Sequence, residues 1–148
     1  MPTSPARELA FAISDCARLL RTYSDQRARE VNMTRAQWAV LKRLERSEGS
    51  KQSELAEALD LAPITLARLV DKLCEQGLVE RRDDEADRRA NRLHLTAKAA
   101  PTLERLGELA DDIMARALQG VDQTTVEKMT RELSAIKANL KAALQSVD

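Results

Sequence analysis

Between positions 60 and 96 the chain gathers side chains suited to reading a nucleic-acid duplex. Pro63, Ile64, Thr65, Arg68 and Lys72 fall within ten consecutive positions. A helix that enters a major groove needs short or polar groups near its N-terminus, with cations beside them. Thr65 can hydrogen-bond a base edge or a phosphate, Ile64 can meet a thymine methyl, and Arg68, one turn after Ile64, can reach guanine or the backbone. Lys72 suits a phosphate. The competing reading makes Arg68 and Lys72 the solvated face of an ordinary amphipathic helix. Downstream, Arg81, Arg82, Arg88, Arg89 and Arg92 alternate with Asp83, Asp84, Glu85 and Asp87. Arg81, Arg82 and Arg92 are candidates for contacts to a phosphate backbone. A segment this nearly neutral could also be a solvent-exposed loop of internal ion pairs, so its use depends on folding separating the two signs.

Groups suited to catalysis are scarce. There is no Gly-rich phosphate loop, no cluster at metal-ligand spacing, and one histidine, His94, unlinked to any nucleophile. The expectation is a non-enzyme with no catalytic residue, no cofactor and no metal, His94 being structural. Cys16 and Cys74 stand too far apart for a zinc knuckle or a disulfide scaffold, and reduced thiols are the default. Cys16 falls on an apolar seam, which predicts a buried thiol of raised pKa; Cys74 has no partner nearby in sequence. With 24 basic and 24 acidic residues, bulk charge draws the chain toward no particular partner, and any basic surface must arise from local clustering.

These groups have to be held by helices. Of 148 residues, 43% are hydrophobic and only 2% aromatic, which favours helices packed through aliphatic side chains. A first helix is predicted from Pro5 toward Glu30, and a second from Thr34, where Thr34 and Gln37 have capping-box spacing and Met33 can staple onto Trp38. A short third helix over Gln52–Leu59, capped by Ser50, leads through Asp60-Leu61-Ala62 to a fourth that starts at Pro63 and stops at Gly77. Two short helices so closely joined suggest helix-turn-helix. Leu78–Arg81 and Arg92–Leu95 then read as two strands of a hairpin. Thr96 is the expected cap of a fifth helix containing Pro101, and Asp122 that of a sixth. The fold class is therefore mainly α with a small β-hairpin wing.

Both ends carry apolar stripes that a small central lobe cannot cover: Leu9, Ile13 and Leu20 near the N-terminus, Ile113 on the fifth helix, and Met129, Leu133, Ile136, Leu140 and Leu144 on the last. Packing between two subunits is the economical solution, so all nine are expected to dimerise the protein. No run of about 18 apolar residues occurs and the N-terminal stretch is broken by charges, which argues against a membrane span or signal peptide and for a cytoplasmic protein.

The block from Ser53 to Thr96 closely resembles the MarR family of winged-helix regulators. The resemblance rests on the SELA helix, the LVDKL stretch, the GLVERR segment that opens the wing, the DRR triplet Asp87-Arg88-Arg89, and the closing LHLT. It implies one domain over 1–148, with a DNA-binding lobe at 32–98 and dimerisation helices at 5–30 and 99–146. It further implies a homodimer on double-stranded DNA with an inverted-repeat operator. Arg89 would enter a minor groove, where negative potential is concentrated, Asp87 would help fix the loop, and Arg88 would serve phosphate. Lys51 and Ala62 depart from the family's usual polar caps, which bears on helix boundaries and removes no DNA-contacting charge.

The same resemblance implies a repressor released by a small anionic, often aromatic, effector held between the dimerisation helices and the lobe. Arg18, Arg21 and Trp38 are the candidate ligand residues, since a cation beside an indole suits an aromatic carboxylate. Trp38 also has the place of a staple residue, and the arginines can equally be surface charges. Alternatives are a cysteine-based redox regulator and a module that binds protein instead of DNA.

Overall fold

In the computed structural model, which describes residues 3–147, six helices and one hairpin follow in the order α1 (Pro5–Ala28), α2 (Arg35–Arg46), α3 (Gln52–Ala58), α4 (Pro63–Glu75), β1 (Val79–Asp83), β2 (Asn91–Leu95), α5 (Ala99–Ala117) and α6 (Gln123–Gln145). The chain divides into two compact units, Met1–Ile113 and Met114–Asp148.

Local chemistry sets most of the boundaries. In α1, Ser4 caps and Pro5 occupies the first turn, where a missing N–H is harmless. The helix stops short of the expected Glu30 because Arg29–Val31 tighten into a 3₁₀ turn, closed by Asn32 at φ 54°. The Thr34–Gln37 capping box is complete: Gln37 N–H donates to Thr34 Oγ1 and Thr34 N–H to Gln37 Oε1, both at 3.1 Å. The cap of α3 is Lys51, not Ser50. Ser50 turns its hydroxyl back to the Ser47 carbonyl, and since an ammonium cannot accept, only the reverse bond is made, from Lys51 N–H to Glu54 Oε2 at 3.1 Å.

The end of α4 is a Schellman motif. Gly77, at φ 74°, donates to the Cys74 carbonyl, and Leu78 N–H reaches back to Leu73 O at 2.9 Å. That turn reverses the chain into β1, which pairs antiparallel with β2 in the register Val79↔Leu95 to Asp83↔Asn91. Residues 49–51 add a short third edge: Gly49 N–H donates to Leu93 O, Leu93 N–H to Ser50 O, and Lys51 bridges Arg92.

Thr96 does not cap α5. Its hydroxyl donates to the Gly77 carbonyl, tying the end of the hairpin to the end of α4, and α5 starts three residues later, with Pro101 inside its first turn. Asp122 does cap α6, accepting from Thr125 N–H at 2.7 Å.

The core is aliphatic, with Val40, Leu41, Leu44, Leu55, Leu66, Val70, Leu73, Leu93 and Leu106 fully buried. Ile113 belongs to this same core at 2% exposure, which corrects its expected place in a dimer seam: its stripe on α5 is already covered within one chain. The other expected seam positions are not covered. Leu9, Ile13, Leu20, Met129, Leu133, Leu140 and Leu144 are exposed, and Ile136 is half-buried. Cys16 is also exposed among the described residues, against the expected buried thiol. Among the described residues, no helix is long and apolar enough to cross a membrane.

Candidate nucleic-acid interface

Helix α4 is anchored on one side and bare on the other. Leu66, Val70 and Leu73, spaced four and three residues apart, enter the core, and the helix packs against α2, α3 and β1. Ile64, Thr65, Arg68 and Lys72 therefore project to solvent, together with Pro63 at the helix start. Ile64 is 62% exposed, an apolar side chain for which the core has no use. Among the described residues, none forms an ion pair with Arg68 or Lys72.

The hairpin sorts its arginines into two kinds. Arg81 is turned inward: Nε donates to Gln52 Oε1 on α3 at 3.1 Å, and Nη2 donates to Asp71 Oδ1 at 2.7 Å and Ala67 O at 3.3 Å on α4. Arg92 donates from Nη1 to Gly49 O at 2.8 Å and stands 3.2 Å by Nε from Asp84 Oδ2. Arg82 pairs with Glu80 on the exposed surface. Arg88 and Arg89, at the tip, are exposed and form no ion pair among the described residues. Folding has thus separated part of the charge: Asp84 is paired away, and Arg88 and Arg89 stand exposed at the tip with Glu85 and Asp87.

Asp84 does much of that separating, and its position was not legible in sequence beside Asp83 and Glu85. Its side chain is 5% exposed and its Oδ1 accepts Ala86 N–H at 3.0 Å. Arg92 and, at 3.8 Å, Lys51 Nζ neutralise its Oδ2 without a linear hydrogen bond. The Ala86 N–H, ahead of the Arg92 and Lys51 charges, holds this carboxyl below its ordinary pKa against the opposing effect of burial. Asp87 makes the second turn of the tip, with Oδ1 accepting from Arg89 N–H at 3.0 Å and its carbonyl from Ala90 N–H. The Asx-turn spacing of Asp84 to Ala86 and Asp87 to Arg89 is the one sequence signal that could have marked both. A helix with exposed Ile, Thr and cations beside a hairpin that exposes two arginines at its tip, unpaired among the described residues, can span a major groove and the neighbouring minor groove.

The MarR family model matches residues 33–90, which include α2, α3, α4 and the hairpin to its tip. A transcriptional regulator of solved structure is 32% identical over 90% of this chain and 98% of that one, with a TM-score of 0.80. The chain belongs to the MarR family. A MarR transcriptional regulator from Methanosarcina mazei Go1 is similar at 28% identity, covering 92% of this chain and 99% of its own, with a TM-score of 0.82. At 21% identity and a TM-score of 0.74, the fold is shared with an E. coli MarR mutant complexed with operator DNA, over 90% of this chain and 99% of that one. MarR-family regulators are DNA-binding transcriptional regulators and are generally non-enzymatic; dimers and a response to ligand are typical of the family.

A second region of this MarR-family chain lies between α1 and α2, where a cleft of about 400 Å³ is lined by Ala17, Leu20, Arg21, Ser24, Arg35, Trp38, Ala39 and Lys42. Arg21 and Trp38 come together here. Arg18 is not in the lining and pairs on the surface with Asp15. Trp38 is 8% exposed, a core residue with one edge on the cleft, and its staple partner Met33 is buried too. Of the cations in the lining, Arg35 pairs with Asp25 and Lys42 with Glu45, whereas Arg21 has no ion-pair partner among the described residues. Arg35 and Lys42 escaped the sequence reading although they flank Trp38 on the same face of α2 at three- and four-residue spacing; what the sequence left open was that α1 lays Arg21 against that face.

Below the cleft, Arg27 links α1 to α5. It donates to Glu30 at 2.8 Å, to Tyr23 Oη at 3.2 Å and to Asp112 Oδ2, and the Asp112 contact chiefly raises its already high pKa. Cys74 is half-buried, and burial raises its thiol pKa. His94 lies with its ring against Gly49 and Nδ1 3.8 Å from Glu48 Oε1, a structural setting. Among the described residues, no group of acids, cysteines and histidine is placed to hold a metal.

Proposed function

We propose that the protein binds a double-stranded, inverted-repeat operator as a homodimer and represses transcription until a small anionic aromatic ligand releases it. The observation that carries the DNA reading is the division of the cations. Arg68, Lys72, Arg88 and Arg89 stand clear of any ion pair among the described residues while Arg81 and Arg92 are used to hold the lobe. The operator DNA bound to the E. coli relative supports the partner class. In this reading, Ile64 and Thr65 meet base edges from the first turn of α4 beside Pro63, Arg68 reaches guanine or backbone, and Lys72 and Arg88 take phosphates. Arg89 enters the minor groove from a tip shaped by Asp87. Arg82 is a reserve phosphate contact.

The lobe is residues 32–98, and the segments 5–30 and 99–146 dimerise through the apolar residues left open in one chain. Two-fold symmetry then sets half-sites about one helical turn, roughly 10 bp, apart. Binding to the chromosome places the protein in the cytoplasm. The effector site is the cleft lined by Arg21 and Trp38, where an unpaired guanidinium and an indole in one lining suit an aromatic carboxylate.

The test is selection of duplexes from a random library, followed by footprinting and by titration of benzoate-type acids against the bound complex. Protection of two half-sites on one face of the duplex, and release that Arg21→Ala abolishes, are expected. A chain that selects no duplex at low salt would remove the DNA reading and leave the protein-interaction module. A redox input through Cys16 is the second reading, its thiol being exposed in one chain on the α1 face that dimerisation would close. Release by peroxide that Cys16→Ser abolishes would establish it over the aromatic acid.

A further inference from the structure

Arg81 has a disposition that no DNA contact explains. It leaves the middle of β1 and ends in three hydrogen bonds to Gln52, Ala67 and Asp71, the last two in the middle of α4. Between Asp71 and Arg81 the chain makes the Gly77 reversal, so this guanidinium closes the angle between the recognition helix and the hairpin across the turn that joins them. Its planar fork grips α3 and α4 together, Nε on Gln52 and Nη2 on Asp71 and the Ala67 carbonyl, which the single nitrogen of an ammonium could not do in one geometry. Asp71 is exposed on α4, beside Lys72 and one turn from Arg68. A carboxylate there repels phosphate, which makes its presence on this helix anomalous unless it has another task.

We infer that Asp71 and Arg81 form a strut that sets the separation between recognition helix and wing, so that an acidic residue on the DNA-reading helix strengthens binding to the operator. The strut rests on the DNA-binding reading above. Arg81 is a positioning residue: it touches protein on both sides, and Asp71 acts through it. Two grooves can be entered together only at one spacing of helix and tip, whereas non-specific binding to phosphates tolerates a range of spacings. The strut therefore belongs to specificity.

The probe is the best duplex that the wild-type protein selects from a random library, compared with a scrambled duplex of equal length. Asp71→Asn keeps the side-chain shape and removes one negative charge, so simple electrostatics raises its affinity for both duplexes. The strut requires the opposite for the selected duplex, a loss of about fivefold or more in affinity, with scrambled binding unchanged or tighter, so that the specificity ratio collapses. Arg81→Met should lower the ratio likewise while leaving the slope of log affinity against log salt unchanged, and Arg81→Lys should restore only part of it. Thermal melts of each variant separate this from unfolding. Tighter binding of Asp71→Asn to both duplexes would overturn the strut, as would a salt slope that flattens by about two with Arg81→Met, the signature of a lost phosphate contact in each subunit. Failure of the wild-type chain to select any duplex would take down the DNA reading and the strut together.

Discussion

The steepness with which salt weakens operator binding follows from the side-chain geometry. Each cation that neutralises a phosphate releases counterions and adds about −0.9 to the slope of log affinity against log salt. Arg68, Lys72, Arg88 and Arg89 are exposed and outside every ion pair among the described residues, four in each subunit and eight in a two-fold dimer. They set a slope of about −7. Arg82 is held only by the exposed Glu80, a pair worth little in water, and its release to phosphate would steepen the slope to about −9. Arg81 and Arg92 contribute nothing in this count, because their guanidiniums hold α3, α4 and the wing base. Between 50 and 200 mM salt the affinity should then fall by about four to five orders of magnitude. Fluorescence anisotropy of a labelled operator duplex across that range measures the slope directly, and Arg89→Ala should flatten it by about two while size-exclusion still reports a dimer. A wild-type slope near −13 would mean that Arg81 and Arg92 leave their protein partners, and the division into holding and reading arginines would be wrong. A slope shallower than about −4 would remove the exposed cations from the interface.

Acid should loosen the wing. The folded state holds the Asp84 carboxyl below its ordinary value of 3.8, so its stabilising contribution is complete above that value and is lost as pH falls through the lower folded-state pKa. Protection of the Ala86 amide, taken relative to its intrinsic exchange rate, should fall on that descent, and Asp84→Asn should abolish the fall; an identical acid profile of protection in the variant would refute the assignment. Thr34→Ala removes half of the α2 capping box and should cost about 1 kcal/mol, lowering Tm by about 2–4 °C at unchanged dimer mass. Ile113→Ala opens a cavity in the core of one chain and should destabilise by about 2–5 kcal/mol with the dimer intact, whereas Leu140→Glu should dissociate the dimer, both read by melting and light scattering. A monomeric Ile113→Ala protein would return that residue to the subunit seam.

The amino-acid sequence by itself determined whatever depends on neighbours a few positions apart. Pro63 and Gly77 bound the recognition helix, Thr34 and Gln37 start α2, Asp122 starts α6, and the residue types presented by α4 follow from its period. Caps, turns and helical faces are local, and so they were legible; the error at Ser50 came from a hydroxyl that found a carbonyl three residues back, whereas Thr96 lost its cap role to the Gly77 carbonyl 19 residues away, a contact only the fold supplies. Tertiary structure alone decided which charges remain available. Arg81 meets a partner ten residues away and Arg92 one that lies 43 away, while Arg88 and Arg89, of the same type and in the same segment, meet none among the described residues. Periodicity likewise announced apolar faces at Cys16 and Ile113 without saying what covers them: the core of the same chain closes over Ile113, whereas Cys16 is exposed among the described residues. Ion pairing and burial depend on distances between segments remote in sequence, and only the folded chain sets those distances.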